Sequence, residues 1–256
     1  MRVLIIGDVI GKPGRTAVRA LLPELRQELG LDLVIANGEN SAGGLGITPE
    51  TAEDLLSSGV DAITTGNHVW DQREIIPHLD SSMPIIRPLN YPPGTPGRGQ
   101  IRIGNALVVN LLGRVSIGTV DCPFRAMDQL LKDLTDPPKV IIVDMHAEAT
   151  SEKQAIGWYV DGRASALVGT HTHVPTADAR ILPKGTAYVT DIGMVGSANS
   201  VIGVEVEDVL GRFLTQTPRR LNVANSGPTL FQSVLIDFDD MTGKATEIVR
   251  LDKELP

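Results

Sequence analysis

Short apolar runs recur along the chain: Val3 to Ile6, Leu33 to Ala36, Ala62 to Thr64, Val140 to Val143 and Ala166 to Val168. Runs this short and this continuously apolar suit strands buried on both faces. Helix-like stretches separate the first of them, at Arg15 to Glu28, Pro49 to Ser58 and Arg73 to Leu79. The alternation predicts an α/β protein. Thr48 before Pro49, with Glu50 and Glu53 in the first turn, marks a helix start, and Gly59 stands where that helix should stop. The same grammar recurs at Ser151 and Glu152.

Asn90 to Gly99, rich in Pro and Gly, predicts a loop, after which Gln100 to Ile103 and Ala106 to Asn110 flank Gly104-Asn105 as a hairpin. A sheet that takes in such a hairpin is mixed rather than wholly parallel. Further helices are expected at Arg125 to Leu134 and Glu205 to Leu214, and a closing hairpin from Leu230 to Phe238 and Ala245 to Leu251 around Asp240 to Gly243. With no fixed-period repeat and no low-complexity tract, the expectation is one domain over 1–256, with room for a small helical appendage near 192–222.

Composition narrows the partners. A chain of 256 residues buries a substantial core without disulfides. Its 23 Lys+Arg against 31 Asp+Glu give a net charge of -8 with no run of like charges, so long nucleic acid is not an expected partner. Cys122 stands alone, which excludes an intramolecular disulfide, a thiolate zinc site and a Cys-x-x-Cys redox pair. The apolar run within Met1 to Gly7 is too short for a signal segment, and nothing resembles a membrane span. A cytoplasmic protein with no membrane partner is expected.

The apolar runs end in polar residues with metal affinity: Asp8, Glu39, Asn67, His146, and His171 with His173. Ligands gather beyond the carboxyl ends of buried strands, so residues scattered in sequence can converge there. Two carboxylates, three imidazoles and an amide suit a pair of divalent ions. Gly7-Asp8-Val9-Ile10-Gly11-Lys12-Pro13 is not a phosphate-binding P-loop, because its glycines are too close and Pro13 offers no hydroxyl. Asn37-Gly38-Glu39-Asn40 places a carboxylate between amides in a tight turn, and Gly66-Asn67-His68 pairs a neutral carbonyl ligand with a proton donor. In Gly169-Thr170-His171-Thr172-His173, alternate residues of an extended segment would send both imidazoles to one face. His78 has no such partners and reads as structural or solvated.

Taken in order, Gly7-Asp8, Gly38-Glu39-Asn40, Gly66-Asn67-His68, His146 and Gly169-Thr170-His171-Thr172-His173 resemble the signature of calcineurin-like metallophosphoesterases over most of the chain. Within that superfamily, Gly7-Asp8-Val9-Ile10-Gly11, Asn37-Gly38-Glu39-Asn40 and the stretch from His146 through Lys153 look like the YmdB-like branch, phosphodiesterases associated with 2′,3′-cyclic nucleotides. The resemblance implies a four-layer α/β/β/α sandwich of two mixed sheets. It implies that Asp8, Glu39, Asn40 and His173 hold one metal and Glu39, Asn67, His146 and His171 the other, with His68 left free. The superfamily usually has a His two residues after the first Asp, and an Asp as the bridge; here Ile10 and Glu39 stand there. Ile10 cannot ligate, so the amide oxygen of Asn40 is the replacement, and the harder site favours iron or manganese over zinc.

The ions would neutralise a phosphodiester and ionise the attacking water, while protonated His68 donates to the departing ribose oxygen. The expected partner is a small phosphodiester, foremost a 2′,3′-cyclic nucleotide, and the resemblance also allows a homo-oligomer. Thr150, Thr172 and the backbone of Gly193 to Ser197 are candidate phosphate contacts by position, and Arg219 and Arg220 read as surface. Two other functions fit the same residues: a phosphomonoesterase or phosphoprotein phosphatase, and a noncatalytic nucleotide-sensing regulator.

Overall fold

The computed structural model describes residues 1–256. The chain runs β1 (Arg2–Val9), α1 (Gly11–Leu29), β2 (Leu33–Asn37), α2 (Pro49–Ser57), β3 (Ala62–Thr64), β4 (Gln100–Ile103), β5 (Ala106–Leu112), α3 (Pro123–Asp133), β6 (Val140–His146), α4 (Thr150–Val160) and β7 (Ala166–Thr170). It continues with β8 (Arg180–Ile181), β9 (Ala187–Val189), β10 (Met194–Ser197), α5 (Val206–Thr215), β11 (Thr229–Phe231), β12 (Ser233–Phe238), β13 (Ala245–Arg250) and β14 (Lys253–Leu255). No helix is long and apolar enough to cross a membrane.

Two mixed sheets result, of eight and six strands. The first is built on β1, which has β2 parallel along one edge. Its other edge is shared by β12, antiparallel from Arg2 to Ile6, and β10, parallel at Asp8 and Val9. The second sheet runs β4-β5-β6-β7-β9-β8, with parallel strands inside and an antiparallel pair at each end.

The period of two along each strand sorts the apolar residues into layers. Val3, Ile5, Leu33, Ile35 and Ala62 point to the second sheet and meet Val108, Val140, Ile142, Ala166 and Val168 in a buried seam. Their neighbours Leu4, Ile6, Val34, Ala36 and Ile63 face the other way, onto Val18 and Leu22 of α1 and Leu55 of α2. On the far side, Val109, Ile141, Val143 and Leu167 pack under Met127 of α3 and Ile156 of α4. The outcome is the four-layer α/β/β/α sandwich, and it explains why the strands read as unbroken apolar runs.

Local signals held in part. Thr48 caps α2 through a capping box, with Thr51 rather than a glutamate as the reciprocal partner, and Gly59 follows with φ 106°. Helix α1 begins at Gly11, earlier than expected, because Pro13 in a first turn forfeits no hydrogen bond. Arg73–His78 is a short 3-10 turn instead of an α-helix, and Pro77 inside it lacks the required N–H. Helix α4 starts without a side-chain cap; its Glu152 turns away to accept from the backbone amides of Arg114 and Val115. The closing hairpin is interrupted at Gln232, whose Oε1 accepts from Met194 N, so that β11 and β12 join different neighbours. Within 192–222, Met194–Ser197 belong to the first sheet and Val206–Thr215 form α5.

Truncating Ile142, buried in the seam, to Ala should cost about 2–5 kcal/mol. Truncating Val249, 39% exposed on β13, should cost less than about 0.5 kcal/mol. Urea unfolding of the two variants measures both, with the slope against denaturant unchanged.

Candidate metal centre

At the carboxyl ends of the strands the inner seam changes from apolar to polar. On β2, Leu33 and Ile35 are followed on the same face by Asn37; on β6, Val140 and Ile142 by Asp144 and His146; on β7, Ala166 and Val168 by Thr170. All of these polar side chains are buried. Asp8 joins them by a different device. Ile6 pairs with Ala36 but Asp8 pairs with Asn37, so β1 carries one residue more than β2 and the bulge turns Asp8 off the face of Ile6. Gly7, at the bulge, has no room for a side chain against Gly193 O.

Glu39 Oε1 lies 2.8 Å from His146 Nε2, and His171 Nδ1 lies 3.0 Å from the same nitrogen. The ligand atoms of Glu39, His146 and His171 lie within 4.8 Å of one another. Beside them, His173 Nε2 is 3.6 Å from Asp8 Oδ1 and 3.2 Å from the Asn40 amide, which in turn is 3.5 Å from Glu39 Oε1. His68 contributes its backbone N–H to Glu39 Oε2 at 3.2 Å, while its ring Nδ1 pairs with Asp71 Oδ2 at 2.7 Å. Gly66 precedes this turn, and a Cβ there would overlap both Glu39 Oε2 and His146 Nε2. Asp8, Glu39, Asn40, His146, His171 and His173 thus converge, with the peptide of Gly66-Asn67-His68 against them.

These groups fit metal ions. Asp8 Oδ1 and Asn67 Oδ1 are buried oxygens with no hydrogen-bond partner, a costly state unless a cation meets them. Burial pushes Asp8 up to about 6 in spite of His173 and His146 nearby. Burial would raise Glu39 as well, but His146 and then His68 draw it down to about 2. Burial opposes charge on His146 too, yet Glu39, Asp8 and Asp144 carry it up to about 9. Burial and the adjacent His146 push His171 down to about 3. One positive charge among buried carboxylates is a demand that a dication meets more fully than a proton.

Behind the donors lies a set of residues whose roles the sequence did not expose. His146 Nδ1 is 2.9 Å from Thr170 Oγ1, which donates to Asp144 Oδ1 at 2.7 Å. Asp144 also accepts from Asn37 Nδ2 and from the Thr64 hydroxyl. This chain fixes the imidazole so that Nε2 faces the centre. Asp144 was legible in principle, since it shares a strand face with His146 at a spacing of two.

His171 and His173 are placed differently from the sequence expectation. Strand β7 ends at Thr170, and both histidines have positive φ, 97° and 62°, so they converge through a strained turn and not through extended alternation. The turn is pinned at Thr172, whose N–H and hydroxyl both donate to Asp191 Oδ2. Asp191 is paired with Lys153 Nζ at 2.6 Å, both side chains about 1% exposed, and accepts from Gly193 N. His173 Nδ1 is 2.9 Å from Ile202 O.

The positional phosphate candidates are corrected accordingly. The Thr172 hydroxyl is committed to Asp191, Gly193 O accepts from Asp8 N, and Met194–Ser197 lie in the sheet as β10. Thr150 is exposed at the start of α4, and Arg219 and Arg220 are exposed as expected.

The family profile for YmdB-like proteins matches residues 4–251. The chain belongs to that family. It is 49% identical over 255 residues to the 2′,3′-cyclic-nucleotide 2′-phosphodiesterase of Bacillus subtilis strain 168, covering 98% of this chain and 96% of the relative. A solved structure of a hypothetical protein from Thermus thermophilus superimposes with a TM-score of 0.93 at 47% identity, over 100% of both chains. Another, described as a novel phosphatase from Mycoplasma pneumoniae, gives a TM-score of 0.93 at 33% identity, over 100% of this chain and 94% of that one. The YmdB-like chain is an enzyme, a metal-dependent phosphoesterase.

Gly66→Ala should lower the metal bound per chain while leaving far-ultraviolet circular dichroism unchanged, as read by elemental analysis of purified protein. Lys153→Met leaves Asp191 buried without its cation and should cost about 3–5 kcal/mol in urea unfolding.

Proposed function

We propose that this phosphoesterase hydrolyses a small phosphodiester, a 2′,3′-cyclic nucleotide, at a dinuclear metal centre with His68 as proton donor. The single observation that carries the proposal is the convergence of Asp8, Glu39, Asn40, His146, His171 and His173, with Asp8 Oδ1 among them and Asn67 Oδ1 in the adjoining turn both buried without a hydrogen bond. The 49% identical relative from Bacillus subtilis, named for that substrate, supports the choice.

Asp8, Glu39, Asn40 and His173 would hold one ion, and Glu39, Asn67, His146 and His171 the other. The oxygen-rich first set favours iron or manganese. When bound, such ions neutralise the phosphodiester and lower the pKa of a water to the neutral range. The remaining work belongs to the protein. His68 lines the same cavity of about 380 Å³ as Glu39, Asn40, His171 and His173. With Nδ1 held by Asp71, its Nε2 is the atom that gives a proton to the departing ribose oxygen. The N–H of His68 on Glu39 ties the donor's position to the proposed bridging carboxylate. A larger cavity, about 780 Å³ near Arg114 and Arg125, contains none of these residues.

A phosphomonoester substrate is the second reading, favoured by the Mycoplasma pneumoniae relative described as a phosphatase. The acidic net charge of -8 supports a small substrate over long nucleic acid. The same reading places the enzyme in the cytoplasm and allows it to self-associate.

Protein reconstituted with iron or manganese should turn over 2′,3′-cyclic AMP faster than 3′,5′-cyclic AMP, p-nitrophenyl phosphate or a phosphoserine peptide; the reverse order rejects the substrate assignment. His68→Ala should slow that turnover by about 10²- to 10⁴-fold with metal content intact, whereas Glu39→Ala should lose metal and activity together.

A further inference from the structure

We infer that the apolar wall beside the metal centre seats the nucleobase of the substrate and holds it without distinguishing one base from another. This rests on the cyclic-nucleotide reading above. The cavity that contains Glu39, Asn40, His171 and His173 is closed on another side by Ile10, Leu45, Ile202, Val204, Leu221 and Val223. Of these, Leu45 is 51%, Ile202 47% and Leu221 38% exposed. Apolar side chains left open to water beside a centre suited to a charged phosphate call for an occupant. A cyclic phosphate seated on the metals carries its ribose and base covalently, a few bonds away, so the base must lie in the same small cavity or project from it.

The wall is built to keep its shape. Val204 bridges Val201 on one side and Val223 on the other. Val223 is wedged between Gly11 and Gly44, where added Cβ atoms would come within 3.0 and 2.7 Å of its methyl groups. Ile202 holds φ 50°, and its carbonyl oxygen is 2.9 Å from His173 Nδ1, so the wall and a proposed metal ligand are one unit.

What the cavity lacks sets the selectivity. No Phe, Tyr or Trp lines it, and the polar side chains outside the proposed metal set are His68, Glu148 and Thr172. Each is already engaged: His68 with Asp71, Glu148 with His171 Nε2 at 3.1 Å, and Thr172 with Asp191. With His68 Nε2 reserved for the leaving group, the side-chain group left to a base edge is the second carboxylate oxygen of Glu148, an acceptor alone, whereas strong discrimination comes from bonds that match donor and acceptor and are left unpaired with the wrong ligand. Apolar contact scales with area and tolerates any planar ring.

The test compares kcat/KM of the metal-loaded enzyme for the 2′,3′-cyclic phosphates of adenosine, guanosine, cytidine and uridine, and for the base-free methyl riboside 2,3-cyclic phosphate. The four nucleotides should agree within about tenfold, and all should exceed the base-free diester by about tenfold or more. The double variant Leu45→Ala/Leu221→Ala, altered at exposed positions, should narrow that gap chiefly through KM. A hundredfold preference for one base, or a base-free diester turned over as well as the nucleotides, overturns the inference alone. Failure to hydrolyse any of the five by enzyme active on p-nitrophenyl phosphate overturns the substrate reading and the inference with it.

Discussion

Asp8, Glu39 and Asp144 are buried where two apolar sheets meet, and an ionised carboxylate in such a place is costly unless hydrogen bonds or opposite charge compensate it. Asp144 is compensated within the protein by the hydroxyls of Thr64 and Thr170 and the amide of Asn37. Glu39 leans on His146 and on the N–H of His68. Asp8 has the N–H of His171 on one oxygen and no hydrogen bond on the other, which has the more distant imidazole of His173 at 3.6 Å. The residual need for positive charge is therefore concentrated at the point where the imidazoles gather. A cation bound there would couple metal loading to folding, because the oxygens that cost the metal-free chain stability are those it would stabilise.

Positioning the donors takes backbone features that cost energy themselves. The bulge at Gly7 interrupts the pairing of β1 with β2, and His171 and His173 sit in a region of φ that branched and bulky residues avoid. Strain of this kind survives where surrounding contacts over-determine it. Here the buried Lys153–Asp191 pair does so for Thr172, and Ile202 O does so for His173. Lys153 lies on α4, the helix that follows His146, so that helix steadies, through Asp191, the turn that carries His171 and His173.

The chemistry is divided between two surfaces of one cavity. In the function proposed, polar donors at the end of the seam would face the phosphate, and the apolar wall would take the rest of the substrate. Ile10 belongs to the second surface although it follows Asp8 by only two residues, and the Asn40 amide, beside His173, is the group that would stand in for an imidazole there in the proposed metal set.

The sequence by itself determined the strand rhythm, the mixed character of the sheets and the identity of the polar residues at the strand ends. It could do so because strands buried on both faces are continuously apolar, and the first residues beyond them stand out against that background. It did not disclose β8, β9, β10 or β14, which are 2–4 residues long and carry too few positions for a period to register. Nor did it disclose Asp191, whose partners Thr172 and Lys153 are 19 and 38 residues away in the chain. Tertiary structure alone decided that Asp8 turns off the face of Ile6, since a bulge exists only relative to the strand it pairs with. It also decided that the histidines meet through a strained turn, because the energy that holds such a turn comes from residues distant in sequence.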